Sequence, residues 1–292
     1  MPSPSMAPAS DLLCGHPSVR CTEHVCLDSQ SIHLHRRDGE KPTAVWLVHG
    51  LGDWAETWCE VLTAPTLAPW DLWAPDLPGF GRSSNLAGPP PTIEVLVVRL
   101  MELIESLTAD RHVILIGHSL GGVLVTLLAE QRPHWLAGVV NVEGNMTAED
   151  CFISGAAISS ADPHGWYEEF LSRARAAADR GSEAMRRYAQ GLERGDQPTF
   201  LRCCRDLVQL SRGDRIGQRY QALNVPRLYC HGDSLSSSSI AMLNKATEVV
   251  HRFPGTSHWV QIDASDRFCS VLAAWLAETA GSDVLIREAS GP

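Results

Sequence analysis

The chemistry this chain could perform is concentrated in a few short segments. Gly117-His118-Ser119-Leu120-Gly121 follows the β-branched run His112 to Ile116 and precedes the helical pattern Leu120 to Gln131. Glycines two residues to either side of a serine permit a tight, strained turn that holds the hydroxyl above a sheet, where a base can reach it. Near the other end of the chain, Gly255-Thr256-Ser257-His258-Trp259 sits between a strand-like run and a helical pattern. An imidazole titrates near neutrality, so His258 is suited to take the serine's proton during attack and return it to the leaving group. A serine nucleophile with a histidine base supports two-step acyl transfer and needs no cofactor. A carboxylate would complete the set. Glu143 ends the apolar run Leu136 to Val142, and Asp233 follows the run Arg227 to Cys230. Glu143 has the longer reach, and a carboxylate at the end of a buried strand is costly without a partner, so it is favoured, with Asp233 as the alternative acid.

The elements that must position these groups are legible in the spacing. Ala44 to Val48, His112 to Ile116, Leu136 to Val142 and Arg227 to Cys230 are short, continuous, apolar runs, as expected of parallel strands covered on both faces. Val25 to His35 alternates apolar and polar residues, which predicts antiparallel edge strands. Thr92 to Leu107, Leu120 to Gln131 and Arg267 to Thr279 carry apolar residues at helical spacing. Strand and helix thus alternate, implying an α/β fold with a mostly parallel central sheet flanked by helices. The rhythm breaks between Met146 and Leu223, where aromatic and aliphatic residues recur at helical spacing without a strand run. A helical insertion there would roof the crevice at the carboxyl ends of the strands, a cap shaping the substrate pocket.

Bulk properties narrow the partners. Twenty-four basic against 34 acidic residues give a formal charge of -10, which should repel phosphate backbones, so no nucleic acid partner is expected. The densest basic stretch, Arg173 to Arg219, is interleaved with acids and reads as solvated helix faces. No run approaches the roughly 20 apolar residues of a membrane span. The Pro/Ser/Ala-rich start lacks the pattern of a secretory signal, and nine cysteines without a dense framework read mostly as reduced core thiols of a cytoplasmic protein. His16, Cys21 and Cys26 lack the paired spacing of structural zinc sites, and no metal is expected.

The serine turn and its setting resemble the α/β-hydrolase family, and three further segments extend the resemblance over about residues 30 to 280. His49-Gly50-Leu51-Gly52-Asp53-Trp54 looks like the family's oxyanion-hole loop, implying that the backbone amides of Leu51 and Leu120 would receive the developing oxyanion. Asp76-Leu77-Pro78-Gly79-Phe80-Gly81-Arg82-Ser83 is similar to the family's D-x-P-G-x-G-x-S loop and reads as structural. His258 stands where the family carries its catalytic histidine. The chain departs from the common pattern at the acid: Leu235 occupies the usual aspartate position, three residues beyond Gly232. Some family members, haloalkane dehalogenases among them, take their acid from the earlier strand end, where Glu143 lies here. The chain is thus expected to divide into an α/β-hydrolase core over residues 21–145 and 224–280 and a helical cap over 146–223, with a flexible amino-terminal tail over 1–20 and a tail over 281–292. The resemblance implies a serine esterase acting on a small or medium acyl ester. Thioesterase, lactonase or carbon–carbon bond hydrolase are the alternatives with the same triad, and a hydrolase-like receptor or cofactor-free lyase is the alternative of another class.

Overall fold

The computed structural model describes residues 16–25, 30–108, 110–245 and 249–289. The expectations for residues 1–15 and for Cys26 lie outside them. Eight strands form one sheet: β1 (Arg20–Val25), β2 (Ser31–Arg37), β3 (Ala44–Val48), β4 (Asp71–Pro75), β5 (Val113–His118), β6 (Leu136–Val142), β7 (Arg227–His231) and β8 (Val249–Arg252). Their spatial order is β1-β2-β4-β3-β5-β6-β7-β8. β2 pairs antiparallel with β1 and β4, and all other neighbours run parallel. The helices are α1 (Cys59–Thr63), α2 (Ile93–Thr108), α3 (Leu120–Ala129), α4 (Phe152–Ser159), α5 (Pro163–Ala178), α6 (Glu183–Arg194), α7 (Gln197–Ser211), α8 (Arg215–Gln221), α9 (Ser237–Leu243), α10 (Val260–Asp263) and α11 (Ser265–Ala289).

The continuous apolar runs are strands because both their faces are covered. Ala44, Trp46 and Val48 of β3 join one core cluster, with Leu96 and Leu100 of α2 and Val123 and Leu124 of α3. Val45 and Leu47 point the other way, into a second cluster with Val61 and Leu62 of α1 and Phe268, Leu272 and Leu276 of α11. Period-two alternation assigns successive residues to opposite layers, so a polar residue inside such a run would be buried whichever way it pointed. α11 continues through Ala289, past the expected end at Thr279 and into the stretch read as a tail. Gly281 costs only about 1 kcal/mol in a helix, and Val284 to Ala289 are helix-compatible residues.

Between β6 and β7 the chain forms α4 to α8, and the sequence marks where three of these helices begin. Asp162, Ser182 and Asp196 accept from the amides of Gly165, Met185 and Thr199, capping α5, α6 and α7. Each such cap contributes about 1 kcal/mol. The aromatic residues of the segment pack together: Tyr167 meets Phe200 edge-on at 5.0 Å, and Phe170 stacks on Trp166 at 4.8 Å. Its arginines pair with acids, as Arg175 does with Glu193 at 2.6 Å and Arg202 with Asp206 at 3.2 Å.

The Asp76 loop is a structural brace. The Asp76 carboxylate is fully buried and accepts from the amides of Ala55 at 2.7 Å and Arg82 at 2.8 Å. Burial pushes its carboxyl up from 3.8 to about 6, outweighing those bonds, which pull it down. Protonation therefore favours the folded state, a contribution that is full below the ordinary value and lost as pH rises through about 6. Relative to Asp76→Asn, the native protein should gain up to about 3 kcal/mol in urea unfolding as pH falls from about 7 to about 4. Parallel pH profiles for the two proteins would contradict this.

Candidate active site

The carboxyl ends of β3, β5, β6 and β7, and the loop after β8, converge on one edge of the sheet. Ser119 occupies the turn between β5 and α3 at φ 52°, ψ -116°, a left-handed backbone in a residue that has a Cβ. Its amide still donates to Val142 at 2.9 Å, so the strain is held by the ladder to β6. The flanking glycine makes the turn possible: a Cβ at Gly121 would lie 2.2 Å from the Val48 carbonyl oxygen, so only glycine lets α3 start so close to β3. At Gly50 a Cβ would come within 3.0 Å of the Ser119 Cβ, which places the loop after β3 directly beside the serine. Leu120 opens α3, and the first amides of a helix have no acceptor within it.

Glu143 lies just past β6, also at positive φ, and is 4% exposed. Its Oε1 accepts from the Gly232 amide at 2.5 Å; its Oε2 accepts from the Ser234 hydroxyl at 2.8 Å and faces Nδ1 of His258 at 3.1 Å. Burial raises its pKa, but the bonds from His258, Gly232 and Ser234 outweigh burial and hold the carboxyl below its ordinary value. Of the two candidate acids, the structure brings Glu143 to the histidine. Asp233 is turned away: it pairs with Arg252 at 3.0 Å and caps the Gly255 amide at 2.7 Å on the exposed side of the loop. Asp263 accepts from the Ser257 amide at 2.7 Å and steadies the histidine loop.

Ser119, Glu143, His258 and Leu51 line one cleft of about 570 Å³, its open mouth included. Phe152, Ile153 and Ser154 of α4, Tyr188 of α6 and Leu207 of α7 complete its wall from the segment between β6 and β7. The Ser119 hydroxyl and the His258 ring share the cleft without a hydrogen bond between them among the described residues; such contacts are often long in ligand-free sites and tighten on binding.

A buried network ties three of these loops together. His118 is fully buried; its Nδ1 lies 3.1 Å from Asp53 Oδ2 and its Nε2 donates to the His258 carbonyl at 2.9 Å. The Trp259 indole donates to the same Asp53 carboxylate at 3.2 Å, and Tyr188 packs on the Trp259 ring at 5.0 Å.

Residues 47–271 match the sequence model of the alpha/beta hydrolase family. The chain belongs to that family. Among its curated relatives, this chain is 34% identical over 109 residues to lipase LipV of Mycobacterium tuberculosis, covering 37% of this chain and 40% of that protein. It is 35% identical over 94 residues to salicylic acid-binding protein 2 of Nicotiana tabacum, covering 32% and 36% respectively. The chain spans less than half the length of the curated relatives it matches. Among solved structures, a variant of the N-acyl homoserine lactonase AidH superposes with a TM-score of 0.73 at 16% identity, covering 89% of this chain and 97% of that one. A thermophilic esterase from Thermogutta terrifontis gives 0.69 at 19%, covering 89% and 99%. These likenesses show the α/β-hydrolase fold.

Sequence reasoning missed Asp53 and Ser234. Asp53 stands in the quoted loop after β3, but its partners lie 65 and 206 residues away, so only the fold joins them. The one group of metal-type ligands among the described residues is elsewhere: Cys21, His33 and His35 on β1 and β2 bring ligand atoms within 4.8 Å of one another. Burial and the neighbouring His33 push the His35 imidazole down to about 3. No helix among the described residues is long and apolar enough to cross a membrane. Asp53→Ala would strand the buried nitrogens of His118 and Trp259 and should destabilise the protein by about 3 kcal/mol in urea unfolding. A change below about 0.5 kcal/mol would remove this network from the account of the site.

Proposed function

We propose that the chain is a serine hydrolase that cleaves a carboxylic ester of a small or medium acyl substrate through an acyl-enzyme, with Ser119 as nucleophile, His258 as base and Glu143 as the acid behind it. The observation that carries the reading is the His258 Nδ1 contact to Glu143 in the cleft that also holds Ser119. A carboxylate at Nδ1 keeps the proton there and leaves Nε2 as the lone pair that accepts the serine's proton. The substrate carbonyl is attacked by Ser119 Oγ, and the tetrahedral oxyanion is received by the amides of Leu51 and Leu120. Losing one such donor costs about 3 kcal/mol of transition-state stabilisation. The imidazolium then protonates the leaving alcohol, and a water deprotonated by His258 releases the acid. Glu143 remains ionised throughout, consistent with its lowered pKa.

The family resemblance of the chain to proteins named lipase, methylesterase and methyl ester esterase supports ester cleavage. A serine at the turn argues against relatives whose chemistry needs an aspartate there. In this reading residues 146–223 are a cap over a core of 21–145 and 224–280, and α4, α6 and α7 set which acyl groups fit. A small-molecule acyl ester is the partner, and no cofactor takes part.

Two outcomes test the proposal. A fluorophosphonate probe should label Ser119, and Ser119→Ala should lower turnover of p-nitrophenyl esters by about 10^6. Labelling without turnover of any ester would favour the receptor reading. Glu143→Gln should lower turnover by about 10^4, while Asp233→Asn leaves it within about twofold. The reverse pattern would make Asp233 the acid.

A further inference from the structure

The charges around the cleft are one-sided. Three carboxylates, those of Asp53, Glu143 and Asp150, stand among its lining residues, and neither lysine nor arginine does. Two of the three acids are fully engaged. Asp53 is held by His118 and Trp259, and Glu143 by Gly232, Ser234 and His258. Asp150 is different. Its Oδ2 accepts from the Met146 amide at 2.8 Å, the Thr147 amide at 2.9 Å and the Ser239 hydroxyl at 2.6 Å. Among the described residues no donor reaches its Oδ1. Asp150 thus lines the cleft with one carboxylate oxygen that takes no protein donor among the described residues.

We propose that the cleft selects neutral or cationic acyl esters and turns away esters carrying a carboxylate or phosphate on the acyl chain, with Asp150 as the specificity-determining residue. The inference rests on the hydrolase reading above and adds the charge class of its substrate. An anion entering the cleft would leave water, gain no cationic partner and meet fixed negative charge. An ammonium, or a neutral group with an N–H or O–H, could bond Asp150 Oδ1, while Ile153, Leu207 and Leu235 offer apolar wall to an aliphatic chain. The net charge of -10 acts in the same direction on approach.

The test compares kcat/KM for three p-nitrophenyl esters of similar length: the pentanoate, the succinate monoester and 4-(trimethylammonio)butanoate. One unit charge about 8 Å away at an effective dielectric of about 20 corresponds to a factor of about 30, the expected preference for pentanoate over succinate. The cationic ester should be turned over at least as well as the pentanoate. The discrimination should shrink at about 0.5 M salt. Asp150→Asn, which keeps an oxygen for the amides, should narrow the preference. Phe152→Arg adds a cation at a cleft residue that is 54% exposed, 6.1 Å from the His258 ring, and should raise succinate turnover selectively. Equal turnover of pentanoate and succinate by the native protein would overturn the charge selection and leave the esterase reading standing. Selection that persists unchanged in Asp150→Asn would remove Asp150 from its assigned role. Failure to turn over any of the three, without fluorophosphonate labelling, would overturn both readings.

Discussion

A carboxylate cannot be carried into a protein interior without donors, and the edge of this sheet is organised around that constraint. Glu143 leaves β6 at positive φ with its side chain buried, and its oxygens are met by an amide and a hydroxyl from the loop after β7 and by the partly buried ring of His258 from the loop after β8. The two loops are thereby fixed to each other and to the strand between them. Desolvation alone would favour the neutral acid, and the three bonds reverse that. The same bonds orient the imidazole toward the cleft that Ser119 shares. Structure and chemistry thus draw on one set of contacts at this edge.

A second buried set joins the remaining loops. His118 stands between the sheet and the loops, with Asp53 on one nitrogen and the His258 carbonyl on the other, and Trp259 shares the Asp53 carboxylate. Through Trp259 the network reaches Tyr188 of α6, so the helical segment between β6 and β7 is coupled to the histidine loop by packing. The strained Ser119 backbone is surrounded by these contacts and by the close approach of Gly50 and Gly121 to neighbouring segments. Strain of this kind persists only where neighbouring structure over-determines it.

Much of this was legible in the sequence, for identifiable reasons. Continuous apolar runs such as Val45-Trp46-Leu47 occur where both faces of a strand are covered, so the parallel strands and the helices between them could be read with boundaries displaced by a residue or two. The Ser119 turn announced itself because glycines are required where a Cβ would strike a backbone carbonyl. Local patterns have less to say about pairings between distant segments. Glu143 and Asp233 were both available to His258, and the choice is made by tertiary structure: Asp233 finds Arg252 and the Gly255 amide outside, while Gly232 and Ser234 turn inward to Glu143. Asp53 and His118 carried no signal of their own, since their partners are joined only by the fold. The extension of α11 was missed because Gly281 reads as a stop, and a single glycine is a weak one.

The central claim is that Glu143 acts through His258 as one unit with Ser119, and a double-mutant cycle tests it most directly. Turnover of an activated ester would be measured for His258→Ala, Glu143→Gln and the double variant. If the carboxylate works only through the imidazole, the double variant should be no slower than His258→Ala alone. Losses that multiply, leaving the double variant slower by the product of the two single effects, would contradict the account.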